Sequence, residues 1–514
     1  MADITLINLN MLLIRYVDSV EKELHIPLGP LYLTSVLEQA GISTDFRDYQ
    51  ACVDPDPFDV DKIADFCLNP APIIGLSCMA NLLPFTILAA KKLKAVYPDR
   101  IILLGGVGPM SVEEEILKRF PWIDIVGRGE GERSLPPLVR ALQEHLKTST
   151  GSGTERNRER EGDFILSFRE FSFNDVPGIF FRQNGKIIST PPAQRITNLD
   201  AIPFPAFERI DLKNYEGYGM VTSRGCPYLC TFCSVAPIWG RTPYVRSAQN
   251  IIREMSMLHE SAGVNLFLFQ DEYFVSSKER VIDFCKALKK SALGVRFKAF
   301  GRVDLTDRET MEAMAEAGCI EIRYGIESGS SRILQKTRKG FDREQAIEIV
   351  SEAVKIFPRV DCFFIWGFPF ETMDDFLQTL FLMISFRLMG ARVLPSLFCM
   401  LPQTDIYKEV GGKLKMEFSP TLLPEYMRTG HEVIHTGKIS TTEVHPELFD
   451  FISRNPDMFP GFFLHDIAGN VFPKFRILQE HGFYSRAQRS GLETSPLQKI
   501  ATDLDSCGGH SPRT

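Results

Sequence analysis

Ser223-Arg-Gly-Cys226-Pro-Tyr-Leu-Cys230-Thr-Phe232-Cys233-Ser234 is the stretch on which the reading of this chain turns. Its three cysteines are spaced C-x3-C-x2-C with no fourth close by, and the next, Cys285, falls in a helix-like segment. Thiolates at such short spacing can wrap a small loop around an iron–sulfur cluster. Three ligands on a four-iron cube leave one iron with an open position, which makes a cluster reactive rather than only an electron carrier. A structural zinc site is the rival, but zinc normally takes four closed ligands, usually as two C-x2-C pairs. The spacing favours the cluster.

Working outward, residues 219–400 alternate short apolar runs with amphipathic ones. Strands are expected at 219–223, 265–270, 296–300, 319–326, 360–366 and 393–400, with helices such as 248–260, 278–291, 308–317 and 343–357 between them. Six such units make a parallel barrel, and the cysteine loop follows the first strand, at the end where barrel chemistry resides. Ahead of it, residues 1–145 show strands at 4–9, 44–49, 72–78, 100–105 and 124–127, with helices at 31–39, 86–96 and 112–120. Continuously apolar strands with intervening helices read as a parallel sheet covered on both faces. Glycines gather at its strand ends, in Gly105-Gly106-Val-Gly108 and Gly127-Arg-Gly129-Glu130-Gly131-Glu132. They let backbone approach a ligand, or they simply terminate strands.

The fold class is therefore α/β: an N-terminal doubly wound sheet (1–146), a flexible polar insertion with a hairpin about Asn184-Gly185 (147–210), a (β/α)6-type partial barrel (211–405), a mostly helical C-terminal subdomain (406–485), and a disordered tail (486–514). At 514 residues the chain is long enough for several cores. A net charge of −7 gives no electrostatic footprint for nucleic acid or an anionic membrane. No stretch approaches the ~20 apolar residues of a membrane span. The acidic start and Arg15 argue against a signal peptide. Eleven cysteines, mostly single in apolar segments, read as reduced thiols and hence a cytoplasmic location.

The cysteine spacing, with Phe232 just before the last ligand, resembles the radical S-adenosylmethionine (SAM) superfamily. That resemblance implies that Cys226, Cys230 and Cys233 hold a [4Fe–4S] cluster whose open iron chelates SAM, and that a flavodoxin or ferredoxin-type donor reduces it. It places Phe232, Asp271, Glu272, Glu327, Ser328 and Gly367, on successive strand ends, as SAM-binding residues. The N-terminal domain is similar to the cobalamin-binding domain found ahead of many such barrels. The matching pieces are 27–33, Gly75-Leu-Ser77-Cys78-Met79, Gly105-Gly106 and Gly129-Glu130-Gly131-Glu132. The implied cobalamin-binding residues are Ser77, Met79, Gly105, Gly106, Gly129, Glu130 and Gly131. The D-x-H-x-x-G lower-ligand motif is absent; His25 reads as a loop or core histidine. An empty flavodoxin-like domain is the alternative.

Together the resemblances imply a methyltransferase acting on an unactivated carbon of a small-molecule substrate, with a 5′-deoxyadenosyl radical taking hydrogen and methylcobalamin supplying the methyl group. Oxidative cyclisation or rearrangement on the same scaffold, or a non-catalytic cobalamin sensor, remain alternatives. A methylthiotransferase would carry a second cysteine triad, whose pattern Cys52, Cys67 and Cys78 do not follow. His431-Glu432-Val433-Ile434-His435 spells a zinc-protease motif, but its Val-Ile centre favours a short strand, where the two histidines stand ~13 Å apart. The phenylalanines at 449, 451, 459, 462, 463, 472 and 475 read as a core seating the C-terminal subdomain against the barrel, or else as an apolar substrate wall.

Overall fold

The computed structural model describes residues 2–9, 12–15, 20–52, 59–149, 173, 175–215, 217–419, 422–428, 433–435, 438–440 and 446–484. Most of the polar insertion, the tail from 485, and His431 and Glu432 lie outside them. Val433–His435 is a strand paired antiparallel with Lys438–Ser440.

Five parallel strands form the body of the first sheet: β1 (Ile4–Asn8), β2 (Thr44–Asp48), β3 (Ile73–Ser77), β4 (Ile101–Gly105) and β5 (Ile125–Gly127), in the order β2-β1-β3-β4-β5. Ile4, Ile7, Ile73, Ile74, Ile101 and Ile102 are all fully buried, because helices cover both faces. The chain first builds to one side of β1 and then to the other, which leaves a crevice at the carboxyl ends of β1 and β3. A hairpin of β6 (Ile179–Gln183) and β7 (Lys186–Ser189) adds an antiparallel edge to β5. Its turn residues Asn184 and Gly185 have φ of 51° and 73°, as a two-residue primed turn demands.

The second sheet runs in chain order and is parallel throughout: β8 (Gly219–Met220), β9 (Leu266–Phe269), β10 (Arg296–Gly301), β11 (Cys319–Glu327), β12 (Arg359–Trp366) and β13 (Arg392–Leu397). Side chains alternate along each strand: Val360, Cys362, Phe364 and Trp366 are buried on one face of β12, and Asp361 lies on the other. Asp361 and Glu321, both buried and both early in their strands, meet Lys298 (3.1 Å from Glu321), Arg323 (2.6 Å from Glu321), Arg359 (3.2 Å from Asp361) and Arg392. This ion network occupies the amino-terminal end of the barrel, leaving the carboxyl end for the site. No described helix is long and apolar enough to cross a membrane.

Apart from half-buried Phe472, the C-terminal phenylalanines pack into hydrophobic cores, and they seat on more than the barrel. Phe449, Phe459, Phe462 and Phe463 share a buried cluster with Ile7, Leu76, Phe85 and Ile116 of the first domain. Phe451 packs at 5.6 Å from Phe120. Phe475 stacks on Trp366 of β12 at 6.4 Å, and the Trp366 indole donates to the Tyr484 hydroxyl at 2.7 Å. The subdomain thus ties the two sheets together. Phe462→Ala, at a fully buried position, should cost about 3–5 kcal/mol in chemical denaturation. Phe381→Ala, at a side chain 74% exposed, should stay within about 0.5 kcal/mol. Equal losses would contradict the clamp.

Candidate active site at the junction of the two sheets

At the carboxyl ends of its strands the first domain opens into a cavity of about 260 Å³ with mostly apolar walls, Leu33, Met110 and Leu135 among them. Ser77 closes β3, Gly105 and Gly106 bracket the end of β4, and Gly129, Glu130 and Gly131 lead from β5 into the helix Gly131–Ser149; all six line the cavity. A Cβ on Gly106 (φ +91°) would stand 2.5 Å from the Cys78 carbonyl oxygen, so the turn requires glycine. A Cβ on Gly105 would meet nothing within 4 Å and would project into empty space. This is a cradle kept open by missing side chains, and it fits the insertion of a cofactor's tail. Met79 departs from expectation: it is 39% exposed and is not part of the wall. His25 is also outside it, its ring packed against Gly217.

The cysteine loop is held at both ends. Buried Asp271, just beyond β9, accepts from the backbone N–H groups of Thr222 (2.5 Å) and Ser223 (2.8 Å) and from the Thr222 hydroxyl. Ser223 and Arg224 then pair antiparallel with Val245 and Tyr244 on the far side of the loop. Midway, the Thr231 N–H donates to the Thr337 carbonyl at 3.0 Å, and the Ile406 N–H to the Thr231 carbonyl at 3.0 Å. Cys226, Cys230 and Cys233 are free, partly accessible thiols. Burial is the main cause that raises the pKa of Cys226 and, with the neighbouring thiols, that of Cys233 to about 12; Cys230 contributes to both rises and Lys339 opposes them. Arg302 also lowers Cys226; it stacks on the Tyr228 ring at 3.3 Å and donates to the Lys339 carbonyl at 2.7 Å. Three mutually sensed thiols beneath two cations are a donor set suited to a cluster. Among the described residues no three His, Cys, Asp or Glu side chains are gathered closely enough to hold a metal ion, the three cysteines included.

The two sites share a wall. Arg224, Ile238 and Trp239, from either side of the cysteines, line the cavity of the first domain. The Arg224 guanidinium donates to Glu130 (2.9 Å) and Glu132 (2.6 Å), and lies 5.1 Å from the centre of the Trp239 ring. Burial alone would lower the guanidinium's pKa; Glu132 and Glu130 outweigh it and raise the value. Glu130 also accepts from the Ile196 N–H at 2.6 Å, so its carboxylate is engaged by protein although the residue lines the cavity. The Trp239 indole N–H donates to Glu272 at 3.1 Å.

The six strand-end residues divide by placement. Phe232 packs edge-on to Phe368 at 6.1 Å with the Lys339 ammonium 5.8 Å from its ring centre. Glu327 takes φ +69°, in the left-handed region, beside a register shift in β11, and pairs with Lys339 at 2.7 Å. Such strain at a non-glycine residue is typical of functional positions. Glu272 is exposed, and its carboxylate accepts from the Trp239 indole. Asp271 and Ser328 instead support the backbone: Asp271 as above, and fully buried Ser328 through Thr379 (2.8 Å) and the Ser330 N–H (3.1 Å). Neither side chain faces open space. Gly367 (φ +82°) donates its N–H to Glu371 at 2.8 Å, and Glu371 in turn is paired with buried Lys474 at 2.8 Å.

Arg224, Trp239, Lys339 and Arg302 adjoin this site and were not identified from sequence, whereas Glu132 was visible only as part of the 129–132 run. Arg224 lay in the decisive stretch itself, and the alternation of Glu with Gly at 129–132 was its one visible counterpart.

Lost solvation raises the Glu272 carboxyl from 4.5 to about 7, against the Trp239 and Arg224 contributions that lower it. Because folding tightens proton binding, this group favours the folded state at low pH, and that contribution is lost as pH rises from 4.5 through about 7. Trp239 fluorescence should titrate with a midpoint of about 7 in the apoprotein, and Glu272→Gln should remove the transition. An unchanged titration in the variant would contradict the contact.

The chain matches the family models described as Radical SAM superfamily, over residues 220–383, and B12 binding domain, over residues 16–139. An uncharacterized methyltransferase of Pyrococcus horikoshii is 30% identical over 68% of this chain and 71% of its own length. The anaerobic magnesium-protoporphyrin IX monomethyl ester cyclase of Synechocystis is 29% identical over 62% of this chain and 60% of its own, so the chain spans about three fifths of that relative. Among solved structures, the radical SAM methyltransferase TsrM of Kitasatospora setae, with cobalamin and a [4Fe–4S] cluster bound, has the same fold: TM-score 0.61 at 16% identity, over 85% of this chain and 83% of that one. The chain therefore belongs to the cobalamin-binding radical SAM enzymes, which work with a [4Fe–4S] cluster, SAM and cobalamin.

Proposed function

We propose that this enzyme is a C-methyltransferase, acting on an unactivated carbon of a small-molecule or natural-product substrate. The observation that carries the reading is the shared wall: Arg224, Ile238 and Trp239 flank the cysteine triad in sequence and line the cavity of the first domain. A substrate placed against that wall meets both sites. The methyltransferase of Pyrococcus horikoshii supports the same choice. The cyclase relatives favour a second reading, radical ring closure without methyl transfer.

When bound, the cluster and SAM supply a carbon radical able to take hydrogen from an unactivated carbon, and the corrin supplies a methyl group. The chain's own residues do the rest. Cys226, Cys230 and Cys233 ligate the cluster; Lys339 favours the thiolate forms of Cys226 and Cys233, and Arg302 that of Cys226. Phe232 offers an apolar face to the adenine, with Glu327 and Glu272 at the mouth for the polar end of SAM. Asp271 and Ser328 hold strand-end backbone in place. Ser77, Gly105, Gly106, Gly129 and Gly131 shape the space for the cobalamin tail. Trp239 helps exclude water, which a radical reaction requires. A flavodoxin or ferredoxin-type partner delivers the electron.

Anaerobic reconstitution with iron, sulfide and hydroxocobalamin, followed by SAM and a strong reductant, tests this. Retained cobalamin, 5′-deoxyadenosine and S-adenosylhomocysteine are expected, and Cys230→Ala should abolish the deoxyadenosine. Deoxyadenosine without cobalamin retention would exclude the methyl-transfer reading. Separately, Gly105→Leu, filling the open cradle, should weaken cobalamin binding by on the order of tenfold or more without lowering the melting temperature; wild-type affinity would place the cofactor elsewhere.

A further inference from the structure

Arg224 is given no task by the chemistry above, yet its side chain is engaged on every side at the junction. It stands two residues before Cys226, and both its contacts lie about ninety residues away, on the loop that lines the other cavity. Its guanidinium spans Glu130 and Glu132, which flank Gly131, the first residue of the helix Gly131–Ser149. The side chains of Arg224, Glu130 and Glu132 are 7%, 2% and 10% exposed. Its ring neighbours are Trp239, in the shared wall, and Tyr32 of the first domain, at 5.1 and 5.7 Å. On its backbone side, Ser223 is fixed by Asp271, and the Arg224 carbonyl accepts from Arg195 at 3.3 Å. Arg195 also lies 3.4 Å from Glu130. Two other pairs differ from those of Arg224: Arg128 with Glu113 lines the same cavity but lies within the first domain, and Arg119 with Asp457 is partly exposed and lines no part of that cavity.

We propose that Arg224 is a positioning residue: its planar guanidinium locks the 129–132 loop to the cysteine loop, fixing the spacing and orientation of the two cofactor sites. The proposal rests on the functional reading above for what those sites hold. A fork that satisfies two carboxylates at once is a property of arginine; a lysine ammonium on the same stem cannot reproduce it. Removing it leaves two buried carboxylates with Arg195 as the remaining cation.

Hydrogen exchange read by mass spectrometry tests this in the full chain. In wild-type apoprotein the 128–133 and 222–233 peptides should be protected together, and hydroxocobalamin should slow exchange in both. In Arg224→Gln the apo peptides should exchange faster by on the order of tenfold or more, and cobalamin should protect 128–133 alone. Arg224→Lys should resemble Arg224→Gln. In the reconstituted variants, the ratio of 5′-deoxyadenosine to S-adenosylhomocysteine should shift even where iron content is that of the wild type. Should Arg224→Gln fail to fold, Glu132→Gln, which keeps the Glu130 contact, should give the same pattern in weaker form. Wild-type protection across both peptides in either folded variant would overturn the proposal. Absence of cobalamin binding by the wild type would instead overturn the functional reading, and the apo comparison would still decide the lock.

Discussion

Two buried carboxylates and one buried guanidinium set the arrangement of this enzyme. Glu130 and Glu132 belong to a loop whose glycines keep a cavity open; Arg224 belongs to the strand that enters the cysteine loop. Burying three charges is costly, and such a cluster is tolerated only where hydrogen bonds satisfy nearly every atom. Here Arg224, Arg195 and the Ile196 N–H engage Glu130. Arginine's planar fork meets both carboxylates at once, which a freely rotating ammonium does not do.

The rest of the fold presents this junction. The body of the first sheet and the whole of the second are parallel, so both offer their carboxyl ends as loops, and the two sets of loops meet. The ion network around Glu321 and Asp361 fills the barrel's opposite end. The C-terminal phenylalanines bridge the outer surfaces, with Phe462 in the first domain's core and Phe475 on Trp366 of the barrel. The phenylalanine packing and the Arg224 pairs join the same two bodies.

Much of this was legible in the chain. Strands buried on both faces read as unbroken apolar runs, so β3 and β4 were visible almost to the residue. The cysteine spacing carries its own chemistry, and the Asn184-Gly185 turn its own geometry. What failed to read was direction and long-range pairing. Asp271 and Ser328 lie at strand ends as expected, but a strand alternates faces, and a register shift beside Glu327 changes which side chain looks inward. Asp271 turns back to Thr222, and Glu327 reaches its orientation only through positive φ. Met79 follows Ser77 and Cys78, yet it is not part of the wall. The Arg224–Glu132 pair spans 92 residues, and no local pattern announces it. Likewise, the phenylalanine run signalled a core without saying which domain it would cover.

The central claim is that the cysteine loop and the glycine-lined cavity form two faces of one site. Electron paramagnetic resonance on protein holding both cob(II)alamin and the reduced cluster measures it most directly. The account predicts that each signal is broadened and relaxes faster in the presence of the other, through spin–spin interaction across the Arg224–Trp239 wall. Two signals identical to those of the singly loaded proteins would contradict it.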